Sequence, residues 1–267
     1  MIGAIIGDIV GSRFEFNNKK SKEFELFPEY FIHYTDDTVM TLAVATALLV
    51  HKKKGGDLGR LTASIMRDFG KKYPGAGYGK AFNLWLKDST LGPYNSWGNG
   101  AAMRVSACGW MGETLEEVLD YAERVTAITH NHPEGIKGAK ATAHAIYLAR
   151  TGATKYEIEK AMYEYYYIDF YLDEIRDKYS FTESSQGTIP YALECFFEST
   201  SFEDCLRNCI SIGGDSDTIA AIACSIAEAY YGVPYELNLE ARKHLDRFLN
   251  ECLDKIEEEY PSKFLEG

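Results

Sequence analysis

An all-α fold is the first expectation from this chain, and three observations carry it. Apolar residues recur at helical spacing behind capping residues along most of the 267 positions. No run alternates in the way a half-buried strand requires. No low-complexity linker and no repeat of fixed period interrupts the pattern, which excludes a solenoid.

The first helix is expected within Met1 to Gly11. This stretch is apolar but too brief to span a bilayer. It lacks a basic leading region and contains Asp8, so it reads poorly as a signal peptide. Gly3, Gly7 and Gly11 recur every four residues, a spacing that predicts a close helix–helix contact inside the core. Further along, Asp57 heads a helix carrying Leu58, Leu61, Ile65, Met66 and Phe69. Thr114 and Glu117 form a capping-box pattern before Val118, Leu119, Ala122 and Val125, and Thr154 with Glu157 repeats it before Ile158, Ala161, Met162 and Tyr165. The segment from Tyr163 to Ser180 is rich in tyrosine and acid. It is expected to be a partly buried helix face, with a substrate-side flap as the alternative. Ser201 caps a helix carrying Phe202, Cys205, Leu206, Cys209 and Ile210. Gly232 and then Pro234 stop the helix that follows Asp217. Leu245, Phe248, Leu249, Cys252 and Ile256 mark a last amphipathic helix, and the charged tail beyond Lys255 is expected to fray.

Two short acidic segments stand near opposite ends of the chain. One is Thr35, Asp36, Asp37, Thr38; the other is Gly213, Gly214, Asp215, Ser216, Asp217, Thr218. Each precedes a run of small and apolar residues with helical spacing, so each places two carboxylates and a threonine hydroxyl near a helix N-terminus. The helix dipole favours negative charge there, yet four clustered carboxylates repel one another. One or two hard divalent cations would relieve that repulsion. Carboxylate and hydroxyl ligands suit Mg²⁺, Mn²⁺ or Ca²⁺ rather than Zn²⁺. Either segment alone reads as an ordinary N-cap. Capping does not explain doubled acids in both, or the glycine pair before Asp215. If the segments share a site, residues 1–267 form one domain.

Composition narrows the function classes. Hydrophobic residues make up 46% of the chain, enough for a sizeable core, and no apolar run is long enough to cross a membrane. The net charge of −12 argues against a nucleic-acid backbone as partner. An anionic substrate would have to be met by metal ions and helix N-termini instead of a basic patch. The six cysteines form no Cys-x-x-Cys pair. They read as small buried hydrophobes of a cytoplasmic, reducing compartment.

Three further constellations are candidates. Ser96, Trp97, Gly98, Asn99 and Gly100 form a glycine-broken turn expected to feed a small-residue helix through Arg104. Backbone N–H groups there suit phosphate, and Trp97 suits a flat ring. His130 and His132 lie at a helix junction, with Pro133 placed for a first helical turn. His132 reads as a structural hydrogen-bonder, while residue type alone leaves His130 undecided. Glu15, just past the first helix, reads by default as a surface acid.

In this order the motifs resemble the ADP-ribosylglycohydrolase family. The matching blocks are GAIIGDIVGSRFE at 3–15, YTDDTVM at 34–40, WGNGAAMRV at 97–105, THNHPEGIKGA at 129–139 and GGDSDTIAAI at 213–222. They run across nearly the whole chain, and the TDDT and GGDSDT pair is specific in combination. The resemblance implies a compact, single-domain orthogonal helical bundle with a two-metal site at its mouth, holding Mg²⁺ or Mn²⁺. It implies that Thr35, Asp36, Asp37, Asp215, Asp217 and Thr218 are the metal ligands. Glu15 would lie on a mobile loop at the metal edge, where some members use the matching acid in catalysis; Asp36 is the other candidate for proton transfer. Ser96 to Gly100 would line the pyrophosphate and adenosine side, and His130 would touch the distal ribose. Ala227, Glu228 and Ala229 depart from the family's frequent Gly-Ala, a change expected to act on packing and not on the metals.

The function implied is metal-dependent hydrolysis at the anomeric carbon of an ADP-ribosyl group, on a protein or on a small molecule. Two other classes stay open on sequence. One is a metal-dependent ADP-ribose or nucleotide-binding module without turnover. The other is a helical interaction protein whose acids are all caps.

Overall fold

The first helix, α1 (Ile2–Gly11), is buried along its whole length. In the computed structural model, which describes residues 1–265, it lies against the central helix α12 (Ser216–Tyr231), whose residues from Ser216 to Glu228 are also buried. The glycine spacing makes this contact possible. A Cβ at Gly3, Gly7 or Gly11 would collide with the Cys224 carbonyl, the Ala220 carbonyl and the Asp217 Cα respectively. The expected close helix contact is therefore present, and it sets Gly11 directly beside an acidic helix start.

Around this pair the chain builds α2 (Asp36–Lys54), α3 (Leu58–Lys72), α4 (Lys80–Lys87), α5 (Ser106–Met111), α6 (Leu115–Thr126), α7 (Pro133–Arg150), α8 (Lys155–Met162), α9 (Leu172–Ile175), α10 (Ser185–Phe197), α11 (Phe202–Ile212), α13 (Tyr235–His244) and α14 (Arg247–Glu257). The protein is an all-helical single domain. Helices α2, α7, α10 and α11 all pack on α12, and one continuous apolar core runs through them. Among the described residues no helix is long and apolar enough to cross a membrane. All six cysteines are buried and free.

Most caps fall where the sequence places them. Asp57, Thr114, Thr154 and Ser201 each accept a hydrogen bond from the first turn of their helix. The box at Thr154 closes. At Thr114 the Glu117 carboxylate instead takes the Glu113 N–H at 2.7 Å. Gly232, with φ of 88°, ends α12.

Three expectations change. Tyr163 to Ser180 is not a continuous helix face: α8 ends at Met162, and only the single turn of α9 follows. Tyr166 is buried there, while Tyr163, Tyr167 and Tyr171 are exposed. The turn at Ser96–Gly100 does not feed a helix directly. It forms a single 3₁₀ turn, Asn99–Ala101, and α5 begins only at Ser106. Finally, the tail beyond Lys255 docks instead of fraying. Ser262 donates to the buried Glu228 Oε1 at 2.5 Å, and the two-residue strand β2 (Phe264–Leu265) pairs in parallel with β1 (Val233–Pro234). The physical reason is Glu228 itself. Its buried carboxylate also accepts from Gly3 N at 2.8 Å and from the Met1 amino group at 2.5 Å, so the tail supplies one of the donors a buried charge requires. Glu228 thus makes its contacts at the start of α1, on Met1 and Gly3. Residues 266–267, the last of the expected domain and tail, lie outside the described residues.

Candidate functional site

The two acidic segments meet. Thr35 is the N-cap of α2, its hydroxyl accepting from Asp37 N at 3.3 Å. Asp215 is the N-cap of α12, with Asp217 in the first turn. The Thr218 hydroxyl donates to Asp37 Oδ2 at 3.3 Å, which joins the segments directly. Glu15, Asp215 and Asp217 each place a carboxylate oxygen within 4.8 Å of the others. All these residues line one cleft of about 840 Å³, with Ser96, Gly98, Asn99, Gly100 and His130 on its walls.

The α2 start is fixed by Asp8. This carboxylate, fully buried in α1, accepts from Thr35 N at 2.9 Å, Thr35 Oγ1 at 2.7 Å, Thr38 N at 3.0 Å and Thr38 Oγ1 at 2.5 Å. The α12 start is fixed differently. Gly213 and Gly214 have φ of 67° and 80°, a left-handed conformation that favours glycine. Asn18 grips this turn from the Glu15 loop. Its Oδ1 accepts from Gly214 N at 2.9 Å, and its Nδ2 donates to Gly214 O and Glu15 O, both at 3.0 Å. Tyr179 packs on Gly214 so closely that a Cβ there would enter its ring.

Crowding shows in the titration of the acids. Burial, then Asp217 and Asp36, pushes Glu15 up to about 8. Burial and Asp217 push Asp36 up to about 7. Asp37 and Asp217 lie well above the carboxylate range, from burial first and neighbouring carboxylates second. Asp215 rises to about 6 through burial, although Asn99 Nδ2 donates to its Oδ2 at 2.7 Å. Asp37 Oδ1 is buried without a hydrogen-bond partner. An orphaned carboxylate oxygen beside an oxygen-only cluster that resists ionisation fits a divalent cation.

The remaining candidates divide. Asn99 turns its side chain to Asp215 and to Thr188 Oγ1 at 3.1 Å, so it supports the acidic cluster. Its backbone N–H and those of Gly98 and Ala101 already bond inside the protein. Trp97 is about half exposed and meets His132 edge-on at 5.6 Å, away from the cleft lining. His132 caps α7, its Nδ1 accepting from Glu134 N at 3.1 Å. His130 faces the cleft, close to Gly98 and Gly100.

Sequence reasoning missed several residues of the site. Asp8 counted only against a signal peptide. Arg104 carries no local signal of a role, yet it is buried and lines the cleft. The loop Gly75-Ala76-Gly77-Tyr78-Gly79 runs along the cleft into Lys80 at the start of α4. Its signal was present, as three glycines alternating just before a helix.

Fold and site together define an all-helical protein whose acidic cleft is assembled from two helix starts. The chain belongs to the ADP-ribosylglycohydrolase family, whose profile matches residues 1–263. It is 27% identical over 323 residues to the ADP-ribosylhydrolase ARH3 of Xenopus tropicalis, covering 92% of this chain and 91% of that protein. It is also 27% identical over 263 residues to the ADP-ribosyl-[dinitrogen reductase] glycohydrolase of Rhodospirillum rubrum, covering 87% and 84%. A solved structure described as an ADP-ribosylglycohydrolase-related protein complex superposes with a TM-score of 0.67 at 23% identity, covering 91% of this chain and 96% of that one.

Proposed function

We propose that this protein hydrolyses the bond at the anomeric carbon of an ADP-ribosyl group carried by a protein side chain or a small molecule. The whole chain, 1–267, is the unit we assign to this activity. The observation that carries the reading is the meeting of Asp36 and Asp37 with Asp215, Asp217 and Glu15 in one cleft, joined by the Thr218–Asp37 hydrogen bond. The ligands we assign to two divalent cations, Mg²⁺ or Mn²⁺, are Thr35, Asp36, Asp37, Asp215, Asp217 and Thr218. Bound there, the cations would supply positive charge for the ribose hydroxyls and for a water of lowered pKa.

The chain's own groups do the rest. Glu15 and Asp36 are the two half-buried acids of a cluster whose Asp37, Asp215 and Asp217 are buried, and Glu15 is raised toward neutrality. The place of Glu15 at the open edge of the cleft is why we assign it proton transfer at the scissile bond, with Asp36 as the second candidate. An oxocarbenium-like transition state gains from the surrounding carboxylates. Ser96 and Gly100, with the Gly75–Gly79 loop and Lys80, line the side we assign to the anionic pyrophosphate, and Gly98 leaves it room without offering its N–H. Trp97 sits outside the cleft wall and contributes through the turn it belongs to.

The test is ADP-ribose release from a panel of arginine-, serine-, ADP-ribose- and acetate-linked substrates, with Mg²⁺ or Mn²⁺. Glu15→Gln should lower turnover by roughly 10²–10⁴-fold and leave ADP-ribose affinity by calorimetry nearly unchanged. A wild-type protein that binds ADP-ribose and cleaves no member of the panel would instead be a binding module.

A further inference from the structure

Arg104 is fully buried and, among the described residues, forms no ion pair with a carboxylate. A buried charge without a counter-ion is costly, so its contacts are informative. Its guanidinium lies over the Phe82 ring at 5.4 Å. One of its terminal nitrogens, Nη2, donates to Thr129 Oγ1 at 2.7 Å and lies 3.3 Å from His130 Nδ1. Thr129 Oγ1 is in turn 2.8 Å from His130 Nδ1.

Only one arrangement of protons makes all three contacts hydrogen bonds at once. A guanidinium only donates. Thr129 Oγ1 therefore accepts from Arg104 and spends its own hydrogen on Nδ1. Nδ1 faces two donors and must be an unprotonated acceptor. The ring proton then sits on Nε2. Among the described residues that nitrogen has no hydrogen-bond partner, and it lies beside Gly98 and Gly100 in the cleft. A Cβ at Gly98 or Gly100 would lie 3.5 or 3.4 Å from it, in ordinary contact, so the nitrogen sits against the backbone of both glycines.

We infer that Arg104 and Thr129 are positioning residues that lock His130 as a neutral Nε2–H donor, and that His130 serves the cleft by donating to a ligand oxygen and not by moving protons. Burial and the Arg104 charge also hold the His130 pKa well below its ordinary value, in agreement with this. The acceptor is a hydroxyl or phosphate oxygen. That the oxygen belongs to an ADP-ribosyl ligand rests on the function proposed above; the tautomer rests on the protein alone.

Two measurements test it. With ¹⁵N-labelled histidine in the full-length, cation-free protein at neutral pH, the His130 ring should report a protonated Nε2 and an unprotonated Nδ1. Thr129→Val should loosen that state and weaken ADP-ribose binding by about 3- to 10-fold, the worth of one hydrogen bond. Arg104→Met should do the same, and the threonine variant carries the test if burial of the new side chain costs the fold. His130→Gln, which offers an amide donor in a similar place, should keep more ADP-ribose affinity than His130→Leu, and any loss in kcat/KM should follow the loss of affinity. A wild-type ring protonated on Nδ1, or on both nitrogens, overturns the inference. So does a His130→Gln enzyme that keeps ADP-ribose affinity but loses turnover about 100-fold, as an acid–base residue would. If no substrate is cleaved, the ring spectrum and the affinities still decide the matter; if ADP-ribose does not bind at all, the functional reading fails and the spectrum alone judges the tautomer.

Discussion

The two acidic helix starts are held by different physics. At α2 the fixing group is a side chain from the core. Asp8 takes four hydrogen bonds from Thr35 and Thr38, and Thr35 then caps Asp37. At α12 the fixing group is backbone, a left-handed glycine pair clamped by Asn18 and covered by Tyr179. The first arrangement depends on the hydrogen bonds of one buried core side chain. The second depends on a loop, and that loop carries Glu15. Asn18 bonds both Glu15 O and Gly214, so the acid at the cleft edge and the turn before Asp215 are positioned together. One half of the cluster is thus part of the core, and the other half follows the loop.

Losing a carboxylate from either half should have the largest effect. Asp37→Asn and Asp217→Asn each remove a charge while keeping size and hydrogen-bonding capacity. Both should lower hydrolysis by more than about 100-fold, beyond the usual cost of losing a residue that merely supports a ligand. Helical circular dichroism should stay near wild type. Full activity in one variant and none in the other, at limiting Mg²⁺, would show that only one helix start matters.

The supports should separate the halves more finely. Asp8→Asn turns amide hydrogens toward donors already present at Thr35 and Thr38. It should cost about 1–3 kcal/mol of stability by denaturant unfolding and about 10- to 100-fold in cation affinity. Asn18→Ala sits nearer the surface. It should cost at most about 1 kcal/mol while lowering turnover about tenfold, because Glu15 and Asp215 lose their common anchor. If Asn18→Ala destabilises the fold as much as Asp8→Asn, the contrast between a core-held and a loop-held half disappears.

Melting temperature should also depend on pH. Glu15, Asp36 and Asp215 are raised to about 8, 7 and 6 in the folded protein. The folded state keeps protons that the unfolded chain has already released. Stability of the cation-free protein is therefore greatest below the ordinary carboxylate range and falls as pH rises through these values. Cations bind the deprotonated acids, so the rise in Tm on adding Mg²⁺ to chelator-treated protein should be larger near pH 8 than near pH 6. A Tm that is flat with pH in chelator would mean that the acids ionise freely in the fold.

Much of this architecture is legible locally. Helical spacing and caps mark α3, α6, α8, α11 and α14, because one turn of helix is a short-range matter. The four-residue glycine spacing announces the α1–α12 contact, because only glycine admits backbone that close. Doubled carboxylates mark both halves of the cluster. His132 is recognisable as a cap beside Pro133.

The rest depends on partners distant in sequence. Asp8 has meaning only with Thr35 and Thr38 packed over it, 27 and 30 residues later in the chain. Trp97 turns to His132 and not into the cleft, which its own neighbours do not dictate. The tail docks because Glu228, buried 34 residues earlier in the chain, needs the Ser262 hydroxyl. The proton on His130 is placed by an arginine 26 positions away. By itself the sequence determined the helices, their caps and the acids at two of their starts, since periodicity, capping and charge repulsion act over a few residues. Only the tertiary structure decided which starts face each other, which loop shares their anchor and which side chains reach the cleft, since those follow from burying α1 against α12 and from satisfying every polar group that this burial encloses.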